Sequence, residues 1–132
     1  MEKSSESLEM YLETMYLLDL TAGKIRCVDI AKQMHVSKPS VNKAVNVLKE
    51  QGYLTQETYG NVHLTEAGRN KAMKIYERHT ILSCYLEEFL NISHETAEND
   101  ACKMEHDISQ ESFEKIKAHY NKFVKKEETE AK

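Results

Sequence analysis

Three side chains that bind metals lie together in the stretch ACKMEHD, residues 101–107. Glu105 and His106 follow Cys102 by three and four positions. In a helix this spacing places side chains on one face, with Cβ atoms about 5–6 Å apart. A thiolate, a carboxylate and an imidazole so arranged predict a ligand set for one metal ion. The same pattern also occurs on solvated helix faces, so that interpretation stays open beside the metal site.

The types of donor narrow the choice of metal. Calcium and magnesium prefer shells made of oxygen, whereas nitrogen and sulfur donors favour first-row divalent metals. The three cysteines form no CxxC pair, so neither a zinc ribbon nor an iron–sulfur cluster is indicated. Between residues 94 and 114, seven Asp and Glu face one Lys, which makes this region acidic. Such a region is typical of the surroundings of a bound cation.

A second chemistry, the binding of a polyanion, is indicated by residues 24–49. This segment carries six Lys and Arg against one acid, although the whole chain has a net charge of −4. The distribution of charge matters more than its sum for contact with nucleic acid, because the phosphates meet only one surface. The basic segment therefore predicts a nucleic-acid contact.

Within the basic segment, SKPSVNKAVNVLKEQG predicts a helix from Ser37 to Gln51. Ser37 is a favourable N-cap, Pro39 is tolerated in the first turn, and Gly52 ends the helix. Amides at a helix N-terminus bind phosphate, and polar side chains in the major groove read base edges. An exposed helix face without DNA is the alternative for any one residue. The predicted DNA contacts are Ser37, Lys38, Pro39, Ser40, Asn42 and Lys43.

Hydrophobic periodicity gives the elements around this helix. Apolar residues recur at helical spacing in segments 8–18 and 27–34, which predicts two helices before it. After it, segments 53–58 and 62–65 read as two short strands joined in a hairpin. A long helix over residues 65–92 and shorter helices over 94–106 and 109–123 follow. Two short helices, a tight turn, a third helix and a hairpin predict a winged helix-turn-helix.

The predicted fold class is mainly α, with an N-terminal winged helix-turn-helix followed by a helical dimerisation domain. Residues 1–65 are assigned to DNA binding, 66–124 to metal binding and dimerisation, and 125–132 to a charged, frayed tail. No apolar run is long enough to span a bilayer and no signal peptide is present, so a cytoplasmic protein with no membrane partner is expected. An apolar stripe on the long helix predicts a homodimer interface, with packing inside one chain as the alternative. Its members are Ile81, Leu82, Tyr85, Leu86, Phe89 and Leu90.

The segments LEMYLETMYLL and NDACKMEHDIS, with the winged helix between them, resemble the diphtheria toxin repressor family of metal-dependent transcriptional regulators. The resemblance runs from about Leu8 to about Phe123 and implies the two-domain form without an SH3-like domain. The primary metal site implied by the resemblance consists of Met10, Cys102, Glu105 and His106. For Met10 the alternative role is packing in the core, as is usual for a methionine on an apolar helix. The resemblance also implies a second metal site that includes His79.

The resemblance mixes features of two branches of that family. The iron-responsive branch has an acid at position 83 and a histidine at 98, where this chain has Ser83 and Glu98. Glu98 still offers an oxygen to a metal. Glu13 matches the manganese-responsive branch, which replaces the two sulfur ligands by carboxylates. Sulfur ligands favour iron(II) over the harder manganese(II), so Fe2+ is the first expectation and Mn2+ the second.

The expected function is therefore metal-dependent repression of transcription. The metal activates binding of a homodimer to palindromic, double-stranded operator DNA of metal-homeostasis genes, and the protein is not an enzyme. One alternative is a winged-helix regulator that senses a redox signal or a small ligand through Cys102. Another is a metalloenzyme in which the ion activates water, but the chain shows no second catalytic motif.

Overall fold

The computed structural model describes residues 5–58 and 60–130. The chain divides into two compact units, Met1–Lys74 and Ile75–Lys132. The division falls inside the long helix, which is continuous from Glu66 to Cys84. None of the helices within the described ranges is long and apolar enough to cross a membrane.

The first unit contains three helices, a hairpin and the beginning of the long helix, in the predicted order. The hairpin strands pair antiparallel, with Leu54 opposite Leu64. The amide of Val62 also donates to the carbonyl of Ile25 at 2.9 Å, which ties the hairpin to the segment before the second helix. The elements are α1 (Ser5–Ala22), α2 (Cys27–Met34), α3 (Lys38–Glu50), β1 (Leu54–Gln56), β2 (Val62–Leu64) and the start of α4 (Glu66–Cys84).

The turn between α2 and α3 has the features of a helix-turn-helix. His35 ends α2 in the left-handed conformation, with φ of 56°. Ser37 begins α3, because its hydroxyl accepts the amide of Ser40 at 3.3 Å. Pro39 lies in the first turn, where no amide is needed. The predicted third helix and its N-cap at Ser37 are confirmed, and its contact with DNA remains a prediction.

The core of the first unit lies where α1, α2 and α3 pack together beside the hairpin. Apolar residues at helical spacing on α1 and α3 supply most of it, as the periodicity of the sequence predicts. The buried side chains are Leu8, Tyr11, Leu12, Met15, Ile25, Ile30, Val41, Ala44, Val45, Leu48, Leu54, Val62 and Ala72.

The start of α4 is fixed against the end of α3 by a close backbone approach. The hydroxyl of Thr65 donates to the carbonyl of Gly52 at 2.7 Å and accepts the amide of Gly68 at 3.1 Å. A Cβ atom on Gly68 would lie 2.0 Å from the carbonyl oxygen of Tyr53. Position 68 therefore requires glycine for space.

The second unit contains the rest of α4, a π-helical turn and two further helices, α5 (His94–Asp107) and α6 (Gln110–Glu130). The predicted long helix is regular only to Cys84, because Tyr85–Phe89 widens into a π turn with Leu90 N–H donating to Tyr85 C=O. Helix α6 extends to Glu130, beyond the predicted end at residue 123. The last described residues are mostly Lys and Glu, which are good helix formers. The domain boundaries near residues 65 and 124 remain a prediction.

Two groups of side chains hold the second unit together. Leu82, Ala101 and Phe113 form a buried core. Beside it, the ring of Phe89 stacks on Tyr85 with centroids 5.0 Å apart and meets Phe123 edge-on at 5.4 Å. Part of the predicted apolar stripe therefore packs against other residues of the same chain. Phe89 and Leu90 keep 37% and 50% exposure, and the homodimer interface remains a prediction.

Candidate metal centre and nucleic-acid interface

His79, on α4, is the centre of a polar cluster within the second unit. Its Nδ1 lies 2.8 Å from Oε2 of Glu105, and its Nε2 lies 2.8 Å from Oε2 of Glu98. The imidazole side chain is 18% exposed. Both ring nitrogens therefore face carboxylates of α5, and the histidine joins two positions of that helix.

Glu105 links this contact to His106. Its other oxygen, Oε1, lies 3.1 Å from Nε2 of His106, and both side chains are 1% exposed. A carboxylate buried in this way is costly unless it is paired. Each oxygen of Glu105 here faces an imidazole nitrogen, and the four side chains form a continuous row from Glu98 through His79 to His106.

The periodicity of α5 explains why these residues share a face. Glu98, Cys102 and Glu105 are separated by four and three positions, which places them in one row along the helix. Ala97 and Ala101 are buried beside this row. The side chain of Cys102 is half-buried.

The donor atoms of this cluster fit a divalent metal of the first transition row. Two imidazoles and two carboxylates, drawn from α4 and α5, supply nitrogen and oxygen donors of the kind such ions prefer. The observation that supports this fit is the buried carboxylate of Glu105, which lies between the imidazoles of His79 and His106. Five of the seven predicted metal ligands lie in the second unit: His79, Glu98, Cys102, Glu105 and His106.

The remaining two predicted ligands, Met10 and Glu13, lie on α1 in the first unit. Met10 is 39% exposed, whereas its neighbours Tyr11 and Leu12 are buried. The alternative role of Met10 as a core methionine is therefore wrong. Glu13 is half-buried, and the ligand role of both residues remains a prediction from the family resemblance.

The predicted DNA contacts occupy one face of α3 and its N-terminus. Lys38, Pro39, Asn42 and Lys43 are exposed, together with the N-cap Ser37. Ser40 is half-buried and bonds the N-cap: the Ser37 hydroxyl donates to the Ser40 hydroxyl at 3.0 Å. Ser40 therefore shapes the helix start as well as facing any phosphate there.

Asn46 belongs to the same exposed face but was not among the predicted contacts. It is exposed, and it follows Asn42 by four residues and Lys43 by three. Helical spacing places these three side chains in one patch. The i, i+4 pair of asparagines was the signal in the sequence, because asparagine suits the edge of adenine in the major groove.

The single acid of the basic segment is neutralised locally. Asp29 accepts a 2.7 Å hydrogen bond from Nε of Arg26. That bond lowers the pKa of Asp29 and raises the pKa of Arg26. The charges of Lys32 and Lys24 lower the pKa of Asp29 further, so several cations surround this one carboxylate.

Comparison with known families gives matches to both halves of the chain. The model described as iron dependent repressor, N-terminal DNA binding domain, matches residues 3–62. The model described as iron dependent repressor, metal binding and dimerisation domain, matches residues 65–130.

Two relatives align over most of their length. An uncharacterized HTH-type transcriptional regulator of Methanocaldococcus jannaschii is 35% identical over 123 residues, covering 92% of this chain and 98% of its own. The HTH-type transcriptional regulator MntR of Lysinibacillus sphaericus is 34% identical over 110 residues, covering 83% of this chain and 78% of its own.

Solved structures share the fold. The manganese regulator SloR superposes with a TM-score of 0.75 at 27% identity, over 86% of this chain and 53% of its own. IdeR of T. acidophilum gives 0.76 at 21% identity, over 92% of this chain and 55% of its own. The chain spans about half the length of these two proteins, and the IdeR comparison carries information on the fold alone.

Proposed function

Because the chain belongs to the iron-dependent repressor family of metal-dependent transcriptional regulators, which are DNA-binding proteins and not enzymes, we propose that it is a homodimeric repressor whose binding to operator DNA is activated by a divalent metal. One observation carries the proposal: in the second unit the buried carboxylate of Glu105 faces His79 through one oxygen and His106 through the other. An ordinary solvated helix face would leave a carboxylate in water, whereas Glu105 is buried between two imidazoles.

The proposed ligands in the second unit are His79, Glu98, Cys102, Glu105 and His106. Glu105 links the two histidines of the set, because its two oxygens face different imidazoles. When bound, a divalent ion would supply the positive charge that keeps two neighbouring carboxylates together. The family resemblance adds Met10 and Glu13 from α1 to the proposed ligands.

On the DNA side, α3 is proposed to enter the major groove. Its N-terminus, with the hydroxyl of Ser37 and the ammonium of Lys38, suits phosphate contacts. Asn42, Lys43 and Asn46 lie on the exposed face and are proposed to read base edges. In a homodimer the two α3 helices would meet successive major grooves about 34 Å apart, which calls for a palindromic operator.

The regulatory ion is proposed to be iron(II), with manganese(II) as the alternative. A thiolate from Cys102 and a thioether from Met10 favour iron(II), because manganese(II) is the hardest and weakest binder of the series. The nitrogen and oxygen donors of the second unit suit either ion. Manganese draws support from SloR, which is described as a manganese regulator.

Regulation then consists of a coupling between two binding events. If the metal binds the DNA-competent arrangement of the dimer more tightly than the incompetent one, it raises the affinity for DNA by the same factor. The expected result is repression of metal-homeostasis genes when the metal is plentiful.

DNA binding by the metal-free protein tests this proposal. Under anaerobic, reducing conditions, random duplexes are selected with and without Fe2+, Mn2+ and Zn2+, and the enriched duplex is then used in fluorescence anisotropy. We expect metal-stimulated binding that is lost in His106→Ala. Equal binding with and without metal overturns the proposal, and stimulation by an oxidant alone would identify a thiol switch at Cys102 instead.

A further inference from the structure

Arg78, the residue before His79 on α4, contacts the end of α5 through its guanidinium. Its Nη1 donates to the backbone carbonyl of Glu105 at 3.1 Å and to that of Ile108 at 3.3 Å. Its Nη2 donates to the side-chain oxygen of Gln110 at 2.5 Å. One side chain thus bonds the last turn of α5, the residue after it and the first residue of α6.

These bonds satisfy groups that the helix itself leaves open. Helix α5 ends at Asp107, and the last four carbonyls of a helix have no partner inside it. The carbonyl of Glu105 is one of them. A cation at this end of a helix also interacts favourably with the helix dipole. Arg78 therefore caps α5 from a neighbouring helix.

The capped turn is the one that carries two proposed metal ligands. Glu105 has its backbone carbonyl held by Arg78 and its carboxylate held by His79, the next residue of α4. His106 follows directly in the same turn. Two consecutive residues of α4 thus fix the last turn of α5 from its backbone and from its side chains.

We propose that Arg78 is a positioning residue for the metal site: it sets the backbone of Glu105 and His106 so that their side chains meet the ion. This inference rests on the proposed function. The shape of the guanidinium suits the role, because its planar fork donates several bonds in fixed directions, whereas a lysine ammonium acts as a point charge. The fork also lies 5.3 Å from the ring centre of Phe113, which holds it in place.

The test compares Arg78→Gln and Arg78→Lys with a matched control, Lys117→Gln. Lys117 on α6 also joins a basic side chain to a neighbouring helix, but it does so through an ion pair with the side chain of Glu77 on α4. Two quantities are measured: the Mn2+ and Fe2+ affinity by anaerobic calorimetry, and amide hydrogen exchange of the metal-free protein across residues 105–108.

For Arg78→Gln we expect metal affinity to fall about 10–100-fold, the range typical of changes behind a metal ligand. Exchange at residues 105–108 should accelerate in the metal-free protein, with Arg78→Lys intermediate in both measurements and Lys117→Gln close to wild type. If Arg78→Gln unfolds the chain, Arg78→Lys carries the same test. Unchanged affinity and exchange in Arg78→Lys and Arg78→Gln overturn the inference.

A variant of the ligand itself separates this failure from failure of the proposed site. Glu105→Gln is measured for metal binding alongside the Arg78 variants. If Glu105→Gln loses binding while the Arg78 variants keep it, the site stands and the positioning role is wrong. If Glu105→Gln binds metal as wild type does, the proposed site itself is wrong, and the positioning role falls with it.

Discussion

Nδ1 of His79 lies 2.8 Å from Oε2 of Glu105, a residue 26 positions later in the chain. This contact holds two proposed ligands near each other on different helices before any ion is considered. Groups that are already ordered lose less conformational freedom on binding, so preorganisation of this kind raises affinity. A substitution at this contact should therefore weaken metal binding while the chain still folds.

Replacing Glu105 by glutamine should abolish metal-stimulated DNA binding while the helical fold is retained. The amide keeps the shape of the side chain but removes the negative charge that a cation needs. Since changes behind a ligand already weaken metal binding about 10–100-fold, loss of the ligand should weaken it by at least that range. Calorimetry measures the metal affinity, and circular dichroism measures the fold.

The matched control is Glu111→Gln, which removes the same charge from an exposed position on α6. It should bind metal like the wild type. Similar losses in both variants would show that the overall charge of the acidic region, and not the buried carboxylate, attracts the ion.

Replacing Gly68 by alanine should destabilise the first unit. On an open helix face this change would stabilise by roughly 1 kcal/mol. Here the new Cβ would lie 2.0 Å from the carbonyl oxygen of Tyr53, so the backbone must move, and overpacking of this kind costs about 1–3 kcal/mol. Urea unfolding measures the free energy, with Asn70→Ala on the same helix as control. A gain in stability would contradict the close approach.

Replacing Asn46 by alanine should change the sequence preference of DNA binding. An asparagine that bonds the edge of adenine contributes about 1–3 kcal/mol of discrimination, which the variant would lose at one position of each half-site. Lys38→Gln is the contrasting variant. It should weaken binding to DNA of every sequence alike, and it should lower the slope of log affinity against log salt by about 0.9 per phosphate contact. Selection from random duplexes and salt titrations measure the two effects. If Asn46→Ala selects the wild-type sequence, Asn46 does not read bases.

The imidazole of His94 should titrate above its ordinary range in the metal-free protein. The protonated imidazole donates a 2.9 Å hydrogen bond to Oε2 of Glu87, which raises the pKa of His94 above 6.5, and the charge of Glu98 adds a smaller effect. The pair of His94 and Glu87 therefore stabilises the fold fully below pH 6.5, the ordinary pKa of histidine, and this contribution is lost as the pH rises through the raised pKa. Histidine NMR signals followed against pH measure it. Glu87→Gln should lower the midpoint and Glu111→Gln should not; equal midpoints would contradict the contact.

Much of the first unit was predictable because its signals are local. Ser37, Pro39 and Gly52 mark the ends of α3 by their own backbone preferences, and alternation marked the hairpin. The exact strand ends were less well predicted, since only Leu54–Gln56 and Val62–Leu64 pair. Which residues pair depends on the partner strand, and the periodicity of one segment carries no information about that partner.

The parts that were missed depend on contacts between distant segments. In the sequence, Gly68 is only a glycine within a long helical pattern. The structure shows why glycine is required there, because a Cβ atom would collide with the carbonyl oxygen of Tyr53. Arg78 looks like an ordinary surface cation until the end of α5 is known. Spacing predicted that Glu105 and His106 share a face, and the resemblance added His79 and Glu98, but their mutual contacts follow only from the packing of α4 on α5.

The identity of the metal should depend on Cys102. Replacing it by aspartate exchanges a soft sulfur for a hard oxygen, so the preference for Fe2+ over Mn2+ in activating DNA binding should narrow or reverse. The control is Cys27→Ser, because burial raises the pKa of the Cys27 thiol and keeps it protonated, and a protonated thiol is a poor ligand. Anisotropy with the selected duplex, at graded concentrations of each ion under anaerobic conditions, gives the ratio of activating concentrations. A ratio that is the same in wild type and Cys102→Asp removes the reason to prefer iron, and manganese then becomes the expected ion.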